Sequence, residues 1–71
     1  MTIAEYRQRT GLSLEDFAAA VDLKSKGYMS DIERSNRCSA KIALAIEQHS
    51  QGLVDAATLN DDVALVRRAA A

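Results

Sequence analysis

Residues 12–35 read Leu12-Ser13-Leu14-Glu15-Asp16-Phe17-Ala18-Ala19-Ala20-Val21-Asp22-Leu23-Lys24-Ser25-Lys26-Gly27-Tyr28-Met29-Ser30-Asp31-Ile32-Glu33-Arg34-Ser35, and the spacing within this stretch decides the fold. Ser13 is a good helix N-cap, and Asp16 stands in an acidic first turn that complements the helix dipole. Leu14, Phe17, Ala18 and Val21 then fall at i, i+3, i+4 and i+7, one face of an α-helix. Asp22 and Leu23 read as a tight turn. Ser25 caps a further helix to about Arg34, in which Met29 and Ile32 face inward at i and i+3. Two short helices joined by a few residues form the helix-turn-helix pattern.

The same signals extend outward. Thr2 and Glu5 form a T-x-x-E capping box before a helix over about residues 3–9, with Ile3 and Tyr6 on one face and Gly11 as its stop. Ser39 caps a helix over residues 40–49, whose inner stripe is Ile42, Ala43, Ile46 and His49, and Gly52 is the expected C-terminal stop. Beyond Gly52 two readings stay open: a turn capped by Asp55, or a short strand over residues 53–59. Leu59, Val63 and Val66 repeat at i, i+4 and i+7, which predicts a fifth helix over residues 61–68, with Ala69 to Ala71 fraying. The expectation is an all-α bundle of four to five short helices. It is divided into a helix-turn-helix domain at 1–52 and a C-terminal extension at 53–71.

Length and composition bound the function. Seventy-one residues make one domain, and a chain this short buries only about 60% of its unfolded surface. Cys38 is the only cysteine and His49 the only histidine. An intrachain disulfide is therefore excluded, and a four-ligand zinc site would need carboxylates or a second chain. Self-association is the remaining way to staple so small a core, and Leu59, Val63 and Val66 are the expected dimer interface. The alternative for that stripe is core packing. The longest apolar run, Phe17 to Val21, is too short for a membrane span or a signal-peptide core, so the chain reads as cytoplasmic. No cofactor is implied. No nucleophile, base and orienting group converge in the sequence, so it does not read as an enzyme. The net charge is -1, yet residues 24–41 carry Lys24, Lys26, Arg34, Arg37 and Lys41 against only Asp31 and Glu33. A phosphate backbone responds to such a local stripe and not to the sum.

On these residues the chain resembles the Cro/CI-type (XRE-like) helix-turn-helix regulators. Residues 12–18, Leu-Ser-Leu-Glu-Asp-Phe-Ala, are similar to the family's L-[ST]-x-E-[ED]-[LF]-A, and Met29-Ser30-Asp31-Ile32-Glu33-Arg34-Ser35 resembles I-S-x-[IW]-E-[RN]-G. Asn36-Arg37-Cys38-Ser39 is similar to the following K-R-x-P-S segment without its proline. The tail more distantly resembles small Cro-like and YdaS-like phage or prophage proteins. There are departures. Leu14 stands where the family often has a phosphate-holding glutamine, Asp22 replaces the usual turn glycine, and Lys24 lengthens the turn by one residue.

The resemblance implies a lambda-repressor-like bundle that binds double-stranded DNA as a homodimer and regulates transcription, as a repressor. In such proteins the first helix of the pair braces the second, whose leading end enters the major groove. The implied DNA-binding residues are Lys24, Ser25, Lys26, Gly27, Tyr28, Ser30, Asp31, Arg34, Asn36, Arg37 and Lys41. Lys26 would donate to guanine O6/N7 or to a phosphate, and Asp31 would accept from cytosine N4. Tyr28 would touch a phosphate or a thymine methyl. Ser30, Lys24, Asn36, Arg37 and Lys41 would hold the backbone. Gly27 would allow close approach. Plainer readings stand beside these: Tyr28 partly buried, Arg34 bracing the loop, Asp31 merely solvated, Cys38 filling the loop. A competing reading of the whole chain is an antitoxin-like module whose main partner is a protein.

Overall fold

A computed structural model describes residues 1–70. It contains α1 (Ile3–Thr10), α2 (Leu14–Ala20), α3 (Lys26–Ser35), α4 (Ala40–His49), a 3-10 turn at Ala56–Thr58, and α5 (Asp61–Ala70). The fold is all-α, a small helical bundle with no strand among the described residues. The strand considered for residues 53–59 is therefore replaced by the 3-10 turn that Asp55 caps, its carboxylate accepting from the Ala57 N–H at 2.9 Å. Of the expected fraying tail, Ala69 and Ala70 lie in α5, and Ala71 falls outside the described residues.

The helix starts follow the sequence. Thr2 Oγ1 accepts from the Glu5 N–H and Glu5 Oε1 from the Thr2 N–H, completing the capping box. Ser13, Ser25 and Ser39 each accept from the N–H three residues on. The ends are less conventional. Asp22 adopts φ 62°, the left-handed conformation normally left to glycine. The Leu23 N–H reaches the Ala18 carbonyl at 2.7 Å and the Asp22 N–H reaches that of Ala19, a Schellman motif closing α2. Asp22 thus takes the left-handed conformation that a glycine would supply at this turn. At the end of α4 the left-handed C′ residue is Gln51, φ 55°, one position before the expected stop, and Gly52 follows at φ 86°.

One apolar core joins every element. Ile3 and Tyr6 of α1, Phe17 and Ala18 of α2, Met29 and Ile32 of α3, and Ala43 and Ile46 of α4 are buried together with Val54, Ala56, Leu59 and Val63. Leu59 and Val63 were expected at a dimer interface. They are 1% and 8% exposed, and so fill the core of a single chain instead. Of that stripe only Val66 is exposed, and Leu59 lies before α5, so the three do not form one helical stripe. Residues 53–63 therefore share the core of the first 52 residues.

Polar ties pin this C-terminal segment. The Cys38 N–H donates to the Leu59 carbonyl, and the Asn60 amide donates to the Cys38 carbonyl. The Asn60 side-chain oxygen in turn accepts from the Asp62 and Val63 N–H groups and caps α5. Glu47 of α4 accepts the Ala56 N–H and both guanidinium arms of Arg67 on α5, each at 2.6 Å. Chiefly the Arg67 hydrogen bonds, and then the Ala56 N–H, hold the Glu47 carboxyl down from 4.5 to about 2. The depressed value belongs to the folded state, so this support is complete above about pH 5 and is lost as pH falls from about 4.5 toward 2. Glu47→Gln is expected to lower stability at pH 7 by about 1–2 kcal/mol, since one partner of a charge-assisted pair is lost. It should also flatten the acid limb of a denaturation series run from pH 7 to pH 2. An unchanged acid limb would show that Glu47 carries no such load.

Candidate nucleic-acid interface

The position of α3 is set by what it buries. Met29 and Ile32 are sealed beneath it. Glu33 is held to Arg7 of α1 by two hydrogen bonds, Nε–Oε2 at 2.6 Å and Nη2–Oε1 at 3.1 Å. Arg7 also donates to the Leu12 carbonyl before α2, so a single guanidinium joins α1, the entry to α2 and α3. The Glu33 hydrogen bonds raise the Arg7 pKa further. With its inner face fixed in this way, α3 leaves its outer face to solvent.

That outer face carries the residues expected there. Lys24, Ser25, Lys26, Gly27, Asp31 and Arg34 are exposed, Tyr28 is 49% exposed, and Ser30 is half-buried. The Ser25 oxygen accepts from the Tyr28 N–H, which leaves its hydroxyl proton available. Asn36 ends α3 in the left-handed conformation at φ 54°. Lys41 lies in the first turn of α4 and shares an open groove of about 510 Å³ with Asp22 and Leu23, so it stands beside the turn that precedes α3.

Two of the basic residues are engaged within the chain. Arg34 pairs with Asp31 one turn before it, and Arg37 pairs with Asp61 at the start of α5 at 2.6 Å. Both pairs are exposed, and such pairs contribute about 0–1 kcal/mol, so a phosphate can displace either at little cost. Asp31 as a free acceptor for cytosine is less well placed than expected, because Arg34 already occupies its carboxylate. The lysines differ. Among the described residues Lys24, Lys26 and Lys41, all the lysines of the chain, have no ion-pair partner, and nor do Arg9 and Arg68, whereas Arg7, Arg34, Arg37 and Arg67 do.

The electrostatics of the helix ends separate α3 and α4 from the rest. The first turns of α1, α2 and α5 carry Glu5, Glu15 with Asp16, and Asp61 with Asp62. Those of α3 and α4 carry no acid, and hold Lys26 and Lys41 instead. A cation at the positive end of a helix dipole costs about 0.3–1 kcal/mol. An approaching anion reverses that cost, because exposed N–H groups and ammonium then act on it together.

Gly27 has no explanation inside the chain. A Cβ there would meet only Ser25 Oγ, at 3.9 Å, and the backbone is ordinary helix. Cys38 is half-buried beside the core, and burial pushes its thiol pKa up, as suits a small loop filler. His49 is exposed but lays its ring 5.5 Å from that of Phe17. Among the described residues no group of three or more His, Cys, Asp or Glu is placed to hold a metal, and no helix is long and apolar enough to cross a membrane. The sequence reading missed Arg7, Glu33, Glu47, Asn60 and Arg67. Their partners lie far along the chain, where no local spacing signals them. No family model, curated protein or solved structure matches the chain.

Proposed function

We propose that this protein is a sequence-specific double-stranded DNA-binding transcriptional regulator of the Cro/CI type, a repressor that lays α3 in the major groove. It acts by binding and not by catalysis, as a homodimer in the cytoplasm, associated with the nucleoid when bound. The observation that carries this reading is the pair of lysine-bearing, acid-free helix starts at α3 and α4, beside an exposed α3 face. Those lysines oppose the stability of their own helices and become favourable when phosphate arrives. Lys26 and Tyr28 are the base-reading candidates at the leading end. Lys24, Ser25, Ser30, Asn36, Arg37 and Lys41 hold the sugar-phosphate backbone, with Arg34 and Asp31 exchanging their mutual pair for contacts to DNA.

Selection from random duplex DNA tests the reading. Enrichment of a pseudo-palindrome with half-sites about 34 Å apart is expected, and no enrichment at low salt would reject it. On the selected duplex, Lys26→Ala should relax preference at one position by about 1–3 kcal/mol, while Lys41→Ala should weaken all sequences alike.

Gly27 gives an independent check. Gly27→Ala makes only an ordinary contact with Ser25 Oγ, so the folded domain should gain about 0.5–1 kcal/mol from the better helix former. If the missing Cβ serves close approach to DNA, affinity should fall at least about tenfold while the melting temperature rises. A variant that gains stability and keeps its affinity would remove Gly27 from the interface.

A further inference from the structure

The groove of about 510 Å³ beside Lys41 runs between the end of α2 and one side of α4. Lys41, Ala45, Gln48 and His49 line it at i, i+4, i+7 and i+8, a helical face about 12 Å long. Val21 and Asp22 line it from the end of α2. Its floor is apolar: Val21 is buried, Ile42 and Ala45 are half-buried, and Ala45 contributes only a methyl group.

The groove carries two unlike charges that do not meet. Asp22 and Lys41 are both exposed, and among the described residues neither has an ion-pair partner. Asp22 holds its carboxylate on a backbone at φ 62°, where glycine would sit with less strain. No ion pair to that carboxylate offsets the strain. The space between the two groups suits a ligand that carries both charges close together. An α-amino acid does so on a single carbon. Its carboxylate meets Lys41, its ammonium meets Asp22, and its side chain lies over Val21, Ile42 and Ala45 toward His49. A lone carboxylate or a phosphate would leave Asp22 facing an anion, and a lone amine would leave Lys41 facing a cation.

We propose that the groove between α2 and α4 binds a free α-amino acid with a large apolar side chain, held at its charged end by Asp22 and Lys41. The site does not depend on DNA being the ligand of α3. The ligand is small and the groove open, so the affinity belongs in the millimolar range.

The test is an NMR titration of the isotope-labelled full chain without DNA, because Lys41 is also a candidate for holding phosphate. L-Leucine, L-methionine, L-phenylalanine and L-tryptophan are added in turn to about 20 mM, a ceiling set by that affinity. At least one of them should shift the amide signals of Asp22, Lys41 and Ala45 saturably. Its deaminated and its decarboxylated counterparts should each bind at least about tenfold more weakly, because each leaves one charge of the groove unpaired. Asp22→Asn keeps a side chain that tolerates the left-handed turn, and Ala45→Leu fills the groove. Each should weaken binding at least about tenfold with an unchanged far-UV circular dichroism spectrum. No saturable shift at these residues with any of the amino acids overturns the proposal. So does a counterpart lacking one charge that binds as tightly as the amino acid, or an Asp22→Asn chain that binds like the wild type.

Discussion

Phe17→Ala is expected to strip the domain of a large part of its stability. Phe17 is wholly buried, with its ring centroid 5.6 Å from that of Tyr6 on α1 and 5.5 Å from that of His49 at the end of α4. It is the point at which α2 is gripped from both sides. Removing a buried aromatic ring costs about 3–5 kcal/mol, part of it for the cavity left behind. A domain of this length has a total stability of about 4–11 kcal/mol. The loss consumes much of that margin and should lower the melting temperature by at least about 15 °C. Phe17→Leu, which keeps most of the volume, should lose far less. Thermal melts followed by circular dichroism decide the point. A melting temperature within a few degrees of wild type for Phe17→Ala would mean that α2 is held mainly by something other than this ring. Because α2 braces α3, any affinity for DNA should disappear together with the fold.

The second large effect runs the opposite way in stability. Lys26→Glu combined with Lys41→Glu replaces a cation by an anion in the first turns of α3 and α4. The helix dipoles then favour the variant by about 0.3–1 kcal/mol at each site, so its melting temperature should rise. Affinity for the selected duplex should fall by about 2–6 kcal/mol, on the order of 10²-fold or more, through loss of two phosphate or base contacts and added repulsion. A variant that is more stable but inactive separates function from folding. Equal affinity for the variant and the wild type would remove both lysines from the interface.

Much of the fold was legible locally. Thr2, Ser13, Ser25 and Ser39 mark four helix starts because a capping hydroxyl acts within three residues of its own position. The inward positions Phe17, Met29, Ile32 and Ile46 follow from helical period alone. Residues after Gly52 were not legible in the same way. Whether Leu59 and Val63 close the core or meet another chain depends on how the segment turns back. That path is fixed by Glu47 with Arg67 and by Cys38 with Asn60, pairs far apart in sequence. The exposed set on α3 was legible because its complement, Met29 and Ile32, was. The engagement of Arg34 by Asp31 and of Arg37 by Asp61 was not, since surface ion pairs depend on side-chain placement that spacing does not encode.

Whether the lysines of α3 and α4 hold a nucleic-acid backbone, as proposed, is read most directly by salt dependence. Binding constants for a selected duplex, measured from about 50 to about 200 mM salt, should fall along a straight log–log line with a slope near -0.9 for each phosphate held. With the lysines and Arg37 engaged, about three to five phosphates per subunit give a slope of about -2.7 to -4.5 per chain, and Lys41→Ala should make it shallower by about 0.9. A flat line, or no binding to any duplex at the lowest salt, would contradict the account.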